Sequence, residues 1–206
     1  MSRGFLSTTM HEPLLNYFRN LSSIPLTEED ITLIKQLFVP KKLRKKQYFL
    51  QEGEVCQYMG FVAAGALRQY TVDNRGGEHV FQLSIENWWA GDRESYTMLT
   101  PSPYYIEAWE DTTLLTISKA DRYQLDALPI FANVASGIEQ RHAFALQHRV
   151  NAALSLSAEE RYAELARTYP AFLQRFPQHV IASYLGITKE TLSRVRNLPP
   201  KNQAVR

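Results

Sequence analysis

The sequence predicts an α+β protein: a block of short antiparallel strands flanked by helices, then one long helix, then a small helical unit at the C-terminus. Three observations carry this. Apolar spacing is helical as far as Phe38, alternates with a period of two between Lys46 and Ser118, and becomes helical again beyond Ala120. Turn residues interrupt the middle block at short intervals, as in a sandwich or barrel and unlike an alternating βαβ sheet. The segment QHVIASYLGITKETLSRVRN, residues 178–197, holds two short amphipathic stretches with a glycine between them. With 206 residues, 45% apolar and 12% aromatic, the chain can bury one medium domain and a small one.

Taken in order, EPLLNYFRNL has apolar residues at helical spacing, and TEEDITLIKQLF opens with Thr27 and Asp30 placed as a capping box. Pro40 is expected to stop the second helix. Strands are then expected in KQYFLQ, MGFVAAG, ALRQYTV, EHVFQLS, YYIEAW and TLLTIS. Turns are expected at Gly53, Gly65, the Asp73 to Gly77 hairpin, Gly91 and the Pro101 to Pro103 corner, with the block ending near Lys119. A short helix from Asp121 to Leu128 meets Pro129, and a helix of roughly 25 residues follows without proline. Its visible stripe is Val134, Ile138, His142, Ala145 and Arg149, with Phe131 at the entrance. A helix of that length is expected to pack against a partner copy as well as its own domain. Ser157 and Glu160 form a second capping box, starting a helix that Pro170 closes; the NLPPKNQAVR end is expected to fray.

The net charge of +2 is unevenly spread. Residues 1–156 carry 15 Lys and Arg against 17 Asp and Glu, whereas residues 157–206 carry 8 against 4. Beyond Ala171 the only acid is Glu190, facing Arg175, Lys189, Arg194, Arg196, Lys201 and Arg206. Clustered cations suit a polyanion, although a solvated basic tail has the same composition. Cys56 is the single cysteine, which excludes a disulfide framework, a thiolate zinc cluster and a four-cysteine iron-sulfur centre. No signal-peptide core and no apolar run of spanning length is present, so a cytosolic location away from membranes is expected.

In residues 178–197, helical geometry commits Ile181, Leu185, Leu192 and Val195 to the interior, with Ala182 where two helices cross and Gly186 at a positive-φ turn. Thr188 is an N-cap. Lys189, Glu190, Ser193, Arg194 and Arg196 are then left outward on the second helix, an array of donors and one acceptor suited to base edges and phosphates. This segment resembles the helix-turn-helix of the Crp/Fnr family of bacterial transcription regulators, whose second helix carries E-T-x-x-R; here it reads Glu190, Thr191, Leu192, Ser193, Arg194. The resemblance covers nearly the whole chain. It implies a β-roll like a cyclic-nucleotide-binding domain (a jelly roll) over residues 1–129 with its N-terminal helices. A dimerisation helix over 130–156 and a DNA-binding domain over 157–206 would follow. Gly53-Glu54, Gly65 and Gly91-Asp92 resemble the family's turn positions. It also implies a homodimer on a two-fold symmetric site, with Glu190 and Arg194 reading bases and Gln178, Thr188, Lys189, Ser193 and Arg196 fixing register on phosphates; Thr191 completes the motif.

The sequence departs from nucleotide-binding relatives where the cyclic phosphate would sit. Their Gly-Glu-Leu and Arg-Ser or Arg-Thr motifs would fall at about Ser95-Tyr96-Thr97 and Ser102-Pro103, and neither is present. A buried phosphate without that arginine would cost several kcal/mol, so tight cyclic AMP binding is not expected. Trp88, Trp89, Arg93, Tyr96, Tyr104 and Tyr105 are candidates for a different effector pocket, or are plain core. Cys56 reads as a small buried hydrophobe, and His142 and His148, six apart, face different ways. No metal or cofactor is expected. The run KKLRKK at 41–46 resembles a nucleic-acid patch, but it precedes the strand QYFLQ and is read as a solvated edge that discourages edge pairing. A metal enzyme of the cupin type lacks its histidines, His79 being alone in the strand block, and no catalytic motif appears elsewhere. The expected function is a homodimeric DNA-binding regulator, with an unknown small-molecule effector or none. The alternative is a ligand-binding or protein-interaction module that no longer binds DNA.

Overall fold

A computed structural model describes residues 10–197. The expected tail, with Lys201 and Arg206, lies outside the described residues, as do residues 1–9. Two helices open the chain, α1 (Glu12–Leu21) and α2 (Glu28–Leu37), and the Thr27–Asp30 capping box forms as expected. Eight strands follow: β1 (Val39–Leu43), β2 (Tyr48–Leu50), β3 (Tyr58–Ala64), β4 (Leu67–Val72), β5 (Glu78–Ser84), β6 (Trp89–Ala90), β7 (Tyr105–Ala108) and β8 (Thr112–Ser118), with helix α3 (Arg93–Met98) between β6 and β7. They make two antiparallel sheets, ordered β1-β8-β3-β6 and β2-β7-β4-β5. Helices α4 (Lys119–Asp126), α5 (Pro129–Ser155), α6 (Ala158–Thr168), α7 (Pro170–Arg175), α8 (Gln178–Leu185) and α9 (Lys189–Arg196) complete the chain. No described helix is long and apolar enough to cross a membrane.

Successive side chains on a strand point to opposite faces, so three separate cores follow from the strand sequences. Between the sheets lie Leu50, Cys56, Val62, Leu67, Ile106 and Leu114. On the outer face of the first sheet, Phe61, Leu115 and Ile117 pack beneath α1, α2, α4 and the start of α5. On the outer face of the second, Tyr70, Val80 and Leu83 meet Leu165, Phe172, Phe176 and Ile181 of the C-terminal helices. Gly65 makes the β3 to β4 turn possible: at φ +102° a Cβ would sit 2.6 Å from Thr112 Cα.

Four elements escaped the sequence expectations. Strand β1 contains Pro40, which an edge strand tolerates because its N–H side need not pair. Strand β6 has two residues and α3 six, too few for periodicity to register. Pro170 does not simply close a helix; it begins α7 at its first turn, where its missing N–H has no partner to lose. The stripe on α5 also needs correction. Val134 is buried, Ile138 packs on the first core and Arg149 reaches the second sheet, so most of it serves this chain's own strands and Ala145 alone is exposed. The exposed apolar residues of α5 are instead Phe144, Leu146, Val150 and Leu154.

The C-terminal helices are fastened to the second sheet through specific contacts. Strand β5 is its edge, and α8 lies along it. There the Ser183 hydroxyl accepts from Val80 N–H at 2.9 Å and donates to Glu78 C=O at 3.0 Å. Arg175 pairs with Glu86 at 2.5 Å and also with Glu110, and Trp109 Nε1 donates to the Arg175 carbonyl at 3.1 Å. Trp88 meets Tyr169 and Phe172 with ring centroids 5.3 and 5.5 Å apart. Arg149 donates to Phe81 C=O and lies 4.6 Å from the Tyr184 ring centre.

Phe172 is fully buried, so Phe172→Ala should lower urea-unfolding stability by about 3–5 kcal/mol. Met98→Ala, at an exposed position, should change it by less than about 0.5 kcal/mol. Burial alone would raise the Glu86 carboxyl, but the Arg175 guanidinium outweighs it and holds it below the usual range. That tie is therefore present above the ordinary glutamate range and is lost as pH falls through the depressed value. Arg175→Met should cost about 1–2 kcal/mol at neutral pH, and the difference from wild type should shrink in acid melts.

Candidate nucleic-acid interface

The paired helices α8 and α9 are shaped by local chemistry before any partner is considered. Helix α8 ends at Gly186, whose φ of +66° and ψ of 36° let its N–H return to Ala182 and Ser183 carbonyls. Ile187 N–H also reaches Ala182 C=O, at 3.0 Å, and Arg161 Nη1 donates to Leu185 C=O at 2.8 Å. The chain thus turns sharply into Thr188, whose hydroxyl accepts Thr191 N–H at 3.2 Å and starts α9.

Leu192 and Val195 are buried at 1% and 7% exposure, and Val180, Ile181 and Ala182 are buried beneath them. Leu185, expected inside, is only half-buried. With α9 rotated this way, Lys189, Glu190, Ser193, Arg194 and Arg196 are exposed and Thr191 is half-buried. Gln178 and Thr188 are exposed at the starts of α8 and α9. No described carboxylate pairs with Lys189, Arg194 or Arg196. Backbone hydrogen bonding at the start of α9, helped by Thr188 and Lys189, lowers the Glu190 carboxyl, so it faces outward as an anion. One helix face therefore offers three cations, one strong acceptor and a hydroxyl, with its spine anchored inward.

The six effector-pocket candidates do not converge, and each has a structural reason. Trp88 faces α7 and Phe172, while its neighbour Trp89 faces the other way, against Tyr17, Phe38 and Phe61. Arg93 donates to Glu139 of α5 at 2.5 Å. Tyr96 fills the space between the sheets, where burial pushes its phenol up to about 12 and leaves the hydroxyl without a hydrogen-bond partner. Tyr104 packs on Phe81, and Tyr105 stacks on Tyr70 with centroids 5.4 Å apart. Alternation along the strands sends adjacent aromatics to opposite layers, so proximity in sequence does not become a shared cavity. An open cleft of about 480 Å³ occurs elsewhere, lined by Lys41, Phe49, Glu54, Cys56 and Tyr58 among others.

The segment where a cyclic phosphate would be expected is held by internal bonds. Asp92 caps α3 by accepting Glu94 and Ser95 N–H. The Ser95 hydroxyl donates to Thr100 C=O at 2.5 Å and accepts Cys56 N–H at 2.8 Å. The Ser102 hydroxyl accepts Tyr104 N–H at 3.1 Å. Cys56 is buried, its thiol raised mainly by burial and donating to Tyr58 C=O. His142 is half-buried and lowered by burial, His148 is exposed, and His79 pairs with Asp73 at the hairpin. Residues that sequence reasoning missed are those docking the helix pair, above all Ser183, Arg175 and Trp109. Their one signal was an arginine and a tryptophan with no evident core position.

The cyclic nucleotide-binding domain family matches residues 40–126. No curated protein matches the chain. Among solved structures, the catabolite activator protein of Thermus thermophilus is 23% identical, with 83% of this chain and 82% of that chain covered and a TM-score of 0.53. FixK2 of Bradyrhizobium japonicum is 21% identical, with 77% and 82% covered and a TM-score of 0.65. A CooA mutant of Carboxydothermus hydrogenoformans is 20% identical, with 84% and 79% covered and a TM-score of 0.63. At these identities the shared property is the fold. Residues 40–126 thus match the cyclic nucleotide-binding domain family, and the chain shares the fold of these three solved structures.

Proposed function

We propose that the protein is a homodimeric, DNA-binding transcription regulator that acts in the cytosol and does not respond to cyclic AMP. The observation that carries this is the outward face of α9: Leu192 and Val195 are buried while Lys189, Glu190, Ser193, Arg194 and Arg196 are exposed. Arg194 offers two parallel donors to guanine O6 and N7, and Glu190 accepts from a cytosine amino group. Gln178, Thr188, Lys189, Ser193 and Arg196 hold phosphates, and Thr191 keeps the helix start in register.

The domains are residues 1–129 with the β-roll, 130–156 with the dimer helix and 157–206 with the helix-turn-helix. Dimerisation is supported by the unpartnered face of α5. Ala143, Leu146, Val150 and Ala153 recur at the 3-4-3 spacing of a two-helix seam, and Leu154 beside them is 84% exposed. A two-fold axis along that seam sets one recognition helix per half-site, about 34 Å apart. Insensitivity to cyclic AMP is supported by Ser95, whose hydroxyl is spent on the fold, and by the absence of an arginine near Ser102. The scattered aromatics support a roll that acts as a scaffold for the dimer rather than as a sensor.

Duplexes selected from a random pool by the wild-type protein should be two-fold symmetric. On them Arg194→Ala should lose about 1–3 kcal/mol of affinity without a change in melting temperature. Failure to enrich any duplex, or an Arg194→Ala protein that binds as tightly as wild type, would defeat the proposal. Leu146→Glu combined with Val150→Glu should convert dimer to monomer in sedimentation. Cyclic AMP at millimolar concentration should leave the melting temperature unchanged, since only a ligand of the native state raises it.

A further inference from the structure

We propose that the open cleft beside Lys41 is a binding site for a small monocarboxylate with an apolar body, its carboxylate held by the Lys41 ammonium and its body laid on Phe49, Leu50 and Val55. The site goes beyond the reading of α9 and is independent of it. Strand β1 is an edge of the first sheet, and β2 is the edge of the second sheet opposite β5, where α8 is fastened. The cleft lies where β1 and β2 meet. Its volume of about 480 Å³ falls within the range of small-molecule sites, roughly 300–1,000 Å³.

The register of β1 turns Lys41 toward the sandwich interior. Lys41 pairs with Leu114 of β8, and residues directly opposite on antiparallel strands share a face. Leu114 belongs to the core between the sheets, as does Leu43, two positions along β1 from Lys41. An inward charge on an edge strand also discourages pairing with another chain, but that role requires neither a cavity nor an aromatic ring beneath the charge. Here Lys41 Nζ lies 5.4 Å from the Phe49 ring centre, within cation–π range. Its three N–H donors have no hydrogen-bond acceptor and no carboxylate partner among the described residues.

The rest of the cleft is built in advance of any ligand. Leu50 and Cys56 are buried and Phe49 and Val55 half-buried, giving an apolar floor, whereas Lys41 and Glu54 are exposed at its rim. Gly60 seats the aromatic ring: a Cβ there would lie 3.3 Å from Phe49 Cζ and 3.2 Å from Leu114 Cδ1, so bare backbone lets the ring rest against β3. Another wall, residues 54–56, is stapled to the segment around α3. Gly53 N–H donates to Ser102 C=O and Ser102 N–H to Glu54 C=O, both at 2.8 Å, and Val55 bridges to Pro101. Cys56 N–H donates to the Ser95 hydroxyl at 2.8 Å. Glu54, the one carboxylate among the lining residues, accepts Gln51 N–H at 3.0 Å, which ties it to its own turn rather than to Lys41. A fixed apolar floor beside one unmatched cation selects an anion with a hydrocarbon body. A bare hydrated anion gains nothing from the floor, and a neutral hydrocarbon gains nothing from the ammonium.

The test titrates the full chain, labelled with nitrogen-15, with octanoate and in parallel with octylammonium and 1-octanol, which keep the hydrocarbon and change only the head group. Octanoate at millimolar concentration should shift the amide resonances of residues 49–58 saturably and raise the melting temperature. The alcohol should bind about tenfold more weakly, the loss expected for one hydrogen bond to a charged group. Octylammonium should leave those resonances in place. Lys41→Gln should weaken octanoate binding to the level of the alcohol, and Lys41→Arg should restore it. The proposal is overturned by the absence of a saturable shift at residues 49–58, by equal affinities for octanoate and 1-octanol, or by undiminished octanoate binding in Lys41→Gln. Octylammonium binding in the cleft also overturns it, since Glu54 would then be the recognising charge. Should Lys41→Gln melt early, the three head groups compared on wild type still decide. No DNA enters the experiment, so its failure leaves the reading of α9 standing.

Discussion

The edge of strand β5 is the place on which the rest of the C-terminal half depends. An edge strand presents unpaired N–H and C=O groups, and leaving them dry and unpaired is costly. Here one side chain closes the gap, because the Ser183 hydroxyl takes Val80 N–H and gives its proton to Glu78 C=O. Helix α8 thereby behaves as a partial fifth strand. Once α8 is fixed, the tight turn at Gly186 fixes α9, and burial of Leu192 and Val195 leaves α9 one rotation only. The face carrying Glu190 and Arg194 is outward as a consequence of these anchors.

A second consequence concerns the β-roll. Both outer faces of the sandwich are covered, by α1, α2 and α5 on one side and by α6 to α8 on the other. Large aromatics serve those two covers and the interior between the sheets. Trp88 and Trp89 illustrate the division: neighbours in sequence, they belong to different cores. What the chain gains is rigidity, since close-packed interiors resist deformation. The fold thus supports a fixed presentation of the helix pair, with Arg149 linking α5 to Phe81 on β5 and to Tyr184 on α8.

Much of this was legible in the sequence wherever a local rule decides the outcome. Capping boxes at Thr27 and Ser157, the positive φ at Gly186 and the N-cap at Thr188 all appear as expected, because each is settled within a few residues. The inward set Ile181, Leu192 and Val195 was legible for the same reason. Very short elements such as β6 and α3 were not, since two to six residues carry no period. Strand β1 was hidden by Pro40, whose tolerance depends on the edge position that only the sheet reveals. The stripe on α5 misled because Arg149 looks like a surface residue, yet it reaches Phe81 on β5, and His142 beside it is half-buried. Docking by Ser183, Arg175 and Trp109 depends on partners 65 to 105 residues away in sequence, and no local pattern encodes those.

Amide hydrogen exchange at Val80 tests the central claim most directly. Its N–H points out of the sheet edge and has Ser183 Oγ as its acceptor, so in the intact protein it should exchange slowly, opening only when the helix pair leaves the strand. In a Ser183→Ala protein the same amide should exchange much faster, while the amides of β4, a strand paired on both sides, remain protected. If Val80 in the wild-type chain exchanges at the rate of an uncovered edge amide, the helix pair is not seated on β5 and the orientation of α9 described here is wrong.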